Sequence, residues 1–130
     1  GPKWAASGVP DAALRAAVAR LGPAGLRVLA APAEAAAVEA ALGVAPETFV
    51  DLHAWVAALD GARLVVTVDT GAAHVAGMLG RPIVDVFPDA RFAEQVQRWR
   101  PWAAPARTLR ASAVAGGAGA ALVEAVLDGF

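Results

Sequence analysis

The chain alternates short apolar runs with alanine-rich stretches in which larger apolar side chains recur every three to four residues. Leu14, Val18 and Leu21 have that spacing, which predicts a helix with Asp11 as its N-cap. Continuous runs of β-branched and aromatic residues predict buried strands. The expected helices are 11–21, 33–42, 53–59, 71–79, 92–99 and 118–127, and the expected strands are 26–30, 48–52, 64–68, 82–87 and 108–109. The Ala/Gly-rich residues 111–120 are expected to form a loop.

Strands that alternate with helices of about ten residues predict a parallel sheet covered by helices on both faces. The chain has 130 residues, which suits one domain with a core of its own. We therefore predict an α/β fold, a single Rossmann-like three-layer domain with a parallel sheet, over residues 3–130. Gly1 and Pro2 are interpreted as the remnant of a cleaved tag.

The most informative segment is the junction at the end of the strand predicted over 64–68. That strand ends in Asp69, Thr70 and Gly71, and a helix then continues through His74. Ligands of parallel sheets bind beyond the carboxyl ends of the strands, and the unpaired amides of a helix N-terminus suit a phosphate. These residue types fit a diphosphate site. On residue types alone, the favoured interpretation is a junction in which Asp69 or Thr70 caps the helix and His74 packs beneath a loop.

The charge and composition of the chain limit the classes of partner that it is expected to bind. The formal net charge is −1, which gives no overall basic field for nucleic acid, so no nucleic-acid partner is expected. The one local exception is an arginine-rich segment with two tryptophans, which we interpret as a solvated surface or an edge facing another domain; its members are Arg91, Arg98, Arg100, Arg107, Arg110, Trp99 and Trp102. No apolar run has membrane-spanning length, so no transmembrane segment is expected.

The remaining polar residues suggest no second site. The chain has no cysteine, and it shows no carboxylate cluster with the spacing of a magnesium site, so no metal and no resident cofactor are expected. Lone carboxylates are interpreted as caps or turn residues, and His53 as structural; these carboxylates are Asp11, Asp51, Asp60, Asp85 and Asp89. A dinucleotide enzyme is disfavoured because no Gly-x-Gly-x-x-Gly turn follows a strand.

Several motifs together resemble glycosyltransferase family 9, whose best-known members are the ADP-heptose:lipopolysaccharide heptosyltransferases. Asp69-Thr-Gly-x-x-His74-x-Ala76 and Leu79-Gly80-x-Pro82-x-Val84-x-x-Phe87 resemble the family signature. Lys3-Trp4, Pro32-Ala33-Glu34 and Trp99-Arg100-Pro101 resemble further family motifs. The resemblance implies the carboxy-terminal half of a GT-B enzyme, the half that holds the nucleotide-sugar donor.

The resemblance also implies roles for individual residues. Lys3 would contact the donor phosphate, Glu34 the adenosine ribose, and Asp69, Thr70 and Gly71 the diphosphate. His74 would approach the phosphate or the sugar. The family's general base and acceptor site belong to a separate amino-terminal Rossmann-like half, so no catalytic residue is expected here. Phe87-Pro88-Asp89 departs from the family, which has glycine after the phenylalanine. Proline removes the amide donor that the glycine would offer.

We therefore expect a binding domain for an ADP-sugar donor within an inverting, bacterial, cytoplasmic transferase of lipopolysaccharide biosynthesis, inactive in isolation. The intact enzyme would be peripheral to the inner membrane. The expected partners are the donor and an amino-terminal Rossmann-like half or another protein domain. The alternative is a non-catalytic binding or scaffolding module that kept the fold, with Phe92, Trp99 and Trp102 as anchors for a protein partner.

Overall fold

The structure, a computed structural model, describes residues 2–68, 71–100 and 103–128. Helices and strands alternate along most of these residues. The helices are α1 (Pro2–Ala6), α2 (Asp11–Leu21), α3 (Ala35–Leu42), α4 (Leu52–Asp60), α5 (Gly71–Met78), α6 (Phe92–Trp99), α7 (Ala111–Ala115) and α8 (Ala120–Asp128). The strands are β1 (Leu29–Ala30), β2 (Glu47–Thr48), β3 (Val65–Val68), β4 (Ile83–Phe87) and β5 (Ala106–Arg110).

All strand pairs of the described residues are parallel, which confirms the predicted α/β class. The strands form a three-stranded sheet in the order β3-β4-β5 and a two-stranded sheet of β1 and β2. The expectation of one continuous sheet is therefore corrected to two pieces. Both pieces border the same core, because Leu29 of β1 packs against the cluster that contains Val65 of β3. A bidentate ion pair, with both contacts at 2.7 Å, joins Arg27, two residues before β1, to Glu47, the first residue of β2.

The core is organised around the central strand β4, in which every residue is buried. Alternate side chains of a strand point to opposite faces of the sheet. Val84 and Val86 belong to a cluster that includes residues of α2, α7 and α8. Ile83 belongs to a second cluster, with Leu59 of α4 and Ala76 of α5. Helices thus cover both faces, as a three-layer domain requires.

Several local predictions are wrong at the level of boundaries or type, and the strand expected over 26–30 is observed only as β1. Asp11 is the first residue of α2 and lies in its first turn, where a carboxylate suits the helix dipole, while Pro10 holds the N-cap position. The strand expected over 48–52 is only β2, because Leu52 already begins α4. The loop expected over 111–120 is instead α7 followed by a 3-10 turn, Gly116–Gly119.

One stretch, Ala111–Asp128, is long and apolar enough for a membrane span when judged by length and composition alone. Its helical path is broken, since Gly117 and Ala118 both have left-handed backbone angles, with φ of 60° and 52°. The turn contacts α2, and Leu122, Val123 and Ala125 of α8 are buried in the core. The stretch is therefore weak evidence for a membrane span.

Candidate functional site

The candidate site lies at the junction between β3 and α5. Val68 ends β3 and is 2% exposed, and α5 begins only three residues later at exposed Gly71. Apart from its chain neighbours and its own helix backbone, Gly71 has no described atom within 4 Å of the position that a Cβ would occupy, and it is exposed, so the start of α5 faces solvent. Asp69 and Thr70, the two other predicted residues of the junction, lie outside the described residues. The first amides of α5 are thus placed beyond the carboxyl end of a parallel strand.

His74 lies one turn into α5, on its exposed side. Its ring meets the indole of Trp99, the last residue of α6, edge to face, with 6.1 Å between the ring centroids and 73° between the planes. Trp99 itself is 44% exposed. Among the described residues, the ring contact of His74 is thus with an aromatic side chain of the next helix along the chain.

The two remaining predicted residues are on other elements. Glu34 ends the 3-10 turn Pro32–Glu34, which follows β1, and its side chain is half-buried. Lys3 is exposed on α1, whose Trp4 packs against the core. The structure therefore places Gly71 and His74 on one helix, and Glu34 after another parallel strand. Among the described residues, no side-chain hydrogen bond or ion pair joins Lys3 to any of these three.

The carboxyl end of β4 and the turn after it contact residues of α6 and α7. Phe87 is fully buried and packs edge to face with Phe92, at 6.3 Å between centroids. The guanidinium of Arg110 lies 4.2 Å from the Phe92 ring centroid. The amide of Ser112 in α7 donates to the Asp89 carboxylate at 3.0 Å. The departure from the family motif after Phe87 is therefore part of a structured turn that ties β4 to the end of β5.

Asp89 gives this turn a pH dependence. Hydrogen bonds from the side chain and then the backbone of Ser112, aided by the charge of Arg110, lower the pKa of Asp89 below its ordinary value near 3.8. A lowered pKa contributes stability above the unfolded-state pKa, and this contribution disappears as the pH falls through the folded-state pKa. We expect D89N to melt at a lower temperature than the wild type at pH 7. The difference should shrink as the pH falls below the ordinary carboxyl value of 3.8 and through the lowered pKa of Asp89.

Melting temperatures measured by circular dichroism between about pH 7 and pH 2 test this expectation. The variant E124Q, on the exposed side of α8, is the control and should follow the wild-type curve. A constant offset between D89N and wild type across the whole range would contradict the assignment.

Of the other lone carboxylates, Asp51 confirms the interpretation as a cap, because it accepts from the amide of His53 at the start of α4 at 2.8 Å. Asp60 is instead the last residue of α4 and accepts from Arg81 at 3.0 Å, and Asp11 lies in the first turn of α2, whose N-cap is Pro10. Asp85 departs furthest from the interpretation. It is no cap or turn residue but lies in the middle of β4 with 0% exposure. The signal for it was visible in the sequence, because Ile-Val-Asp-Val-Phe places one carboxylate inside an apolar run.

Two further surveys of the described residues add no second site. No group of three or more His, Cys, Asp or Glu residues is placed to hold a metal ion within residues 2–68, 71–100 and 103–128. A shallow, mainly apolar groove lies between the end of α2 and the smaller sheet, bordered by Val18, Leu26, Val28 and Val44. None of the predicted site residues lines this groove. The junction at α5 therefore remains the candidate site.

Parallel strands with crossover helices, and a helix that begins beyond a strand end, define a Rossmann-like α/β domain. The chain belongs to glycosyltransferase family 9 (heptosyltransferase), whose model matches residues 23–116, well over half of the sequence. Comparison with curated proteins gives no match, and comparison with solved structures gives none either. The family has GT-B architecture, which agrees with the observed fold.

The matched range bears on the candidate residues. It includes Glu34, the whole junction from Asp69 to His74, and the strand that ends at Phe87. Lys3 lies outside it. The junction is thus the part of the candidate site that the fold and the family match both include, and Lys3 depends on the sequence motif alone.

Proposed function

We propose that this domain binds the nucleotide-diphosphate-sugar donor of an inverting family-9 glycosyltransferase, with a donor of the ADP-heptose type. The observation that carries the proposal is the solvent-open start of α5 after β3, which lies within the family match. Amides at a helix N-terminus attract the negative charge of a diphosphate. Thr70 adds a hydroxyl, and Glu34 offers a carboxylate that accepts hydrogen bonds from ribose hydroxyls.

The chemical contribution of the domain is to stabilise the leaving group. In the proposed transfer, an acceptor hydroxyl forms a bond to the anomeric carbon while the bond from that carbon to the diphosphate oxygen breaks. The hydroxyl proton passes to a base that the amino-terminal half supplies. Negative charge grows on the departing diphosphate, where the amides of α5 and the ammonium of Lys3 stabilise it. Asp69 would repel phosphate, so we assign it to fixing the loop or to a sugar hydroxyl.

In this proposal the isolated domain binds donor but transfers nothing, because the amino-terminal half supplies the general base. The parent enzyme would act in the cytoplasm, at the inner membrane, in bacterial lipopolysaccharide biosynthesis. No resident cofactor or metal has a part in the proposed step, since the charge on the leaving group is met by amides and an ammonium.

A second candidate is a binding module without catalysis. The exposure of Trp99, at 44%, favours it, because exposed tryptophans are frequent anchors at protein interfaces. Phe92, the other described residue proposed as an anchor, is packed between Phe87 and Arg110 and is unsuited to that role. Trp102 lies outside the described residues. Among the described residues, the case for a non-catalytic binding module therefore depends on Trp99 alone.

Isothermal titration with ADP, an ADP-sugar and AMP tests the donor proposal. We expect ADP to bind at least about tenfold more tightly than AMP, because the β-phosphate adds charge-assisted hydrogen bonds of about 1.5 to 3 kcal/mol. T70V and K3Q should each lower the affinity for ADP by a factor of about ten. Equal affinity for ADP and AMP, or no heat at millimolar ligand, would contradict a diphosphate site.

Matched variants separate local from general effects. R20Q removes a cation from the exposed side of α2, as K3Q does from α1, and should leave ADP affinity unchanged. W99F tests the second candidate, since it should leave ADP binding intact if Trp99 serves only a protein partner.

A further inference from the structure

Asp85 is a carboxylate at the centre of the larger sheet. It occupies the middle of β4, the middle strand, and is 0% exposed. In register it lies between Thr67 on β3 and Thr108 on β5. Adjacent strands are about 4.8 Å apart, so the three side chains form one polar row across the sheet. Aspartate is rarely this buried, because removing its carboxyl group from water is costly.

This polar row lies beneath α5. Thr67 and Asp85 are two residues beyond Val65 and Ile83, so they share the face on which those residues pack against α4 and α5. The helix rests on this face through small residues, since Ala73, Ala76 and Gly77 are buried. Small side chains let the helix approach the sheet closely. Thr67 and Asp85, which are 8% and 0% exposed, are therefore enclosed between the sheet and the helix that begins the candidate site.

The row also connects to the end of β3. The hydroxyl of Thr67 donates to the carbonyl oxygen of Val68 at 2.9 Å, and Val68 is the last residue of the strand. Two residues separate Val68 from the start of α5 at Gly71. Asp85 thus lies beside the hydroxyl that contacts the backbone of the strand end.

We infer that Asp85 is a positioning residue, which holds the junction between β3 and α5 from beneath and so sets the geometry of the donor site without contacting the donor. The effect of Asp85 on donor binding rests on the proposed function. Its effect on the junction rests on the position of the polar row. Replacing a buried charge with a well-packed apolar residue is often neutral or stabilising. The carboxylate is therefore explained better by the junction than by the stability of the core.

The test compares D85V and D85N with T108V, a control in the same row on the strand remote from β3. Amide hydrogen exchange of the apo domain should be at least about tenfold faster at Gly71 to His74 in D85V, and unchanged in T108V, since exchange reports local opening. D85N keeps one acceptor oxygen and should fall between them. The urea midpoint of D85V should equal or exceed that of wild type.

ADP affinity provides the second measurement. D85V should bind ADP at least about tenfold more weakly than wild type, and T108V within about twofold. Unchanged exchange at Gly71 to His74 in D85V would overturn the inference, and so would loss of folding in both Asp85 variants, which would make the residue structural. A wild-type domain that does not bind ADP would refute the proposed function, while the exchange data would still decide the role of Asp85.

Discussion

Replacing Gly119 with alanine is expected to lower the free energy of unfolding by roughly 2 to 4 kcal/mol, from overpacking and a left-handed backbone. Gly119 is buried and has φ of +77°. A Cβ there would lie 2.7 Å from the backbone oxygen of Ala13 and 3.1 Å from the Cβ of Ala17. Both belong to α2, so the helix itself would have to move. Urea denaturation followed by circular dichroism measures the change.

Gly116, three residues earlier, provides the matched control. Its backbone has φ of −73°, and no atom lies within 4 Å of the Cβ position. G116A should therefore change the free energy of unfolding by at most about 0.5 kcal/mol. If G119A were as mild as G116A, the close approach of the Gly116–Gly119 turn to α2 would be wrong.

Replacing Phe87 with alanine is expected to lower the free energy of unfolding by about 3 to 5 kcal/mol, the usual range for a fully buried phenylalanine. Phe87 ends the central strand with 0% exposure, and its ring packs on Phe92. The truncation would leave a cavity where β4 meets α6. Because single domains are stable by only about 5 to 15 kcal/mol, F87A should be close to unfolding at 37 °C.

F87L separates lost volume from a lost aromatic contact. Leucine keeps most of the apolar volume, so this variant should cost about 1.5 kcal/mol or less. M78A, at a side chain 77% exposed on the end of α5, should be nearly neutral. A cost for F87A similar to that of M78A would show that the carboxyl end of β4 is not packed as described.

Helix and strand type could be read from the sequence where the pattern was long and regular. The spacing of Leu14, Val18 and Leu21 predicted α2 with its observed end at Leu21, and both limits of α6 were correct. The buried run that became β4 was predicted within one residue. The Ala/Gly-rich stretch misled because composition favours a loop there, whereas packing of Ala111 and Val114 into the core stabilises α7.

The site was predictable only in part, for a physical reason. Local motifs placed Gly71 and His74 after a strand, and the chain order alone fixes that. The contact of His74 with Trp99 and the row of Asp85 with Thr67 and Thr108 join distant segments. Such contacts depend on strand order and register, which no short motif encodes. The burial of Asp85 could be read from its place inside an apolar run, whereas its alignment with Thr67 and Thr108 emerges only with the sheet.

The central claim, that the start of α5 is a diphosphate site, is tested most directly by mapping ADP on the ¹⁵N-labelled domain. Amide shifts during the titration should be largest at Gly71 to His74, with a second, smaller set around Glu34 for the ribose. Both should saturate with one affinity and be lost in T70V. Shifts confined to other parts of the domain, or none at several millimolar ADP, would contradict the account.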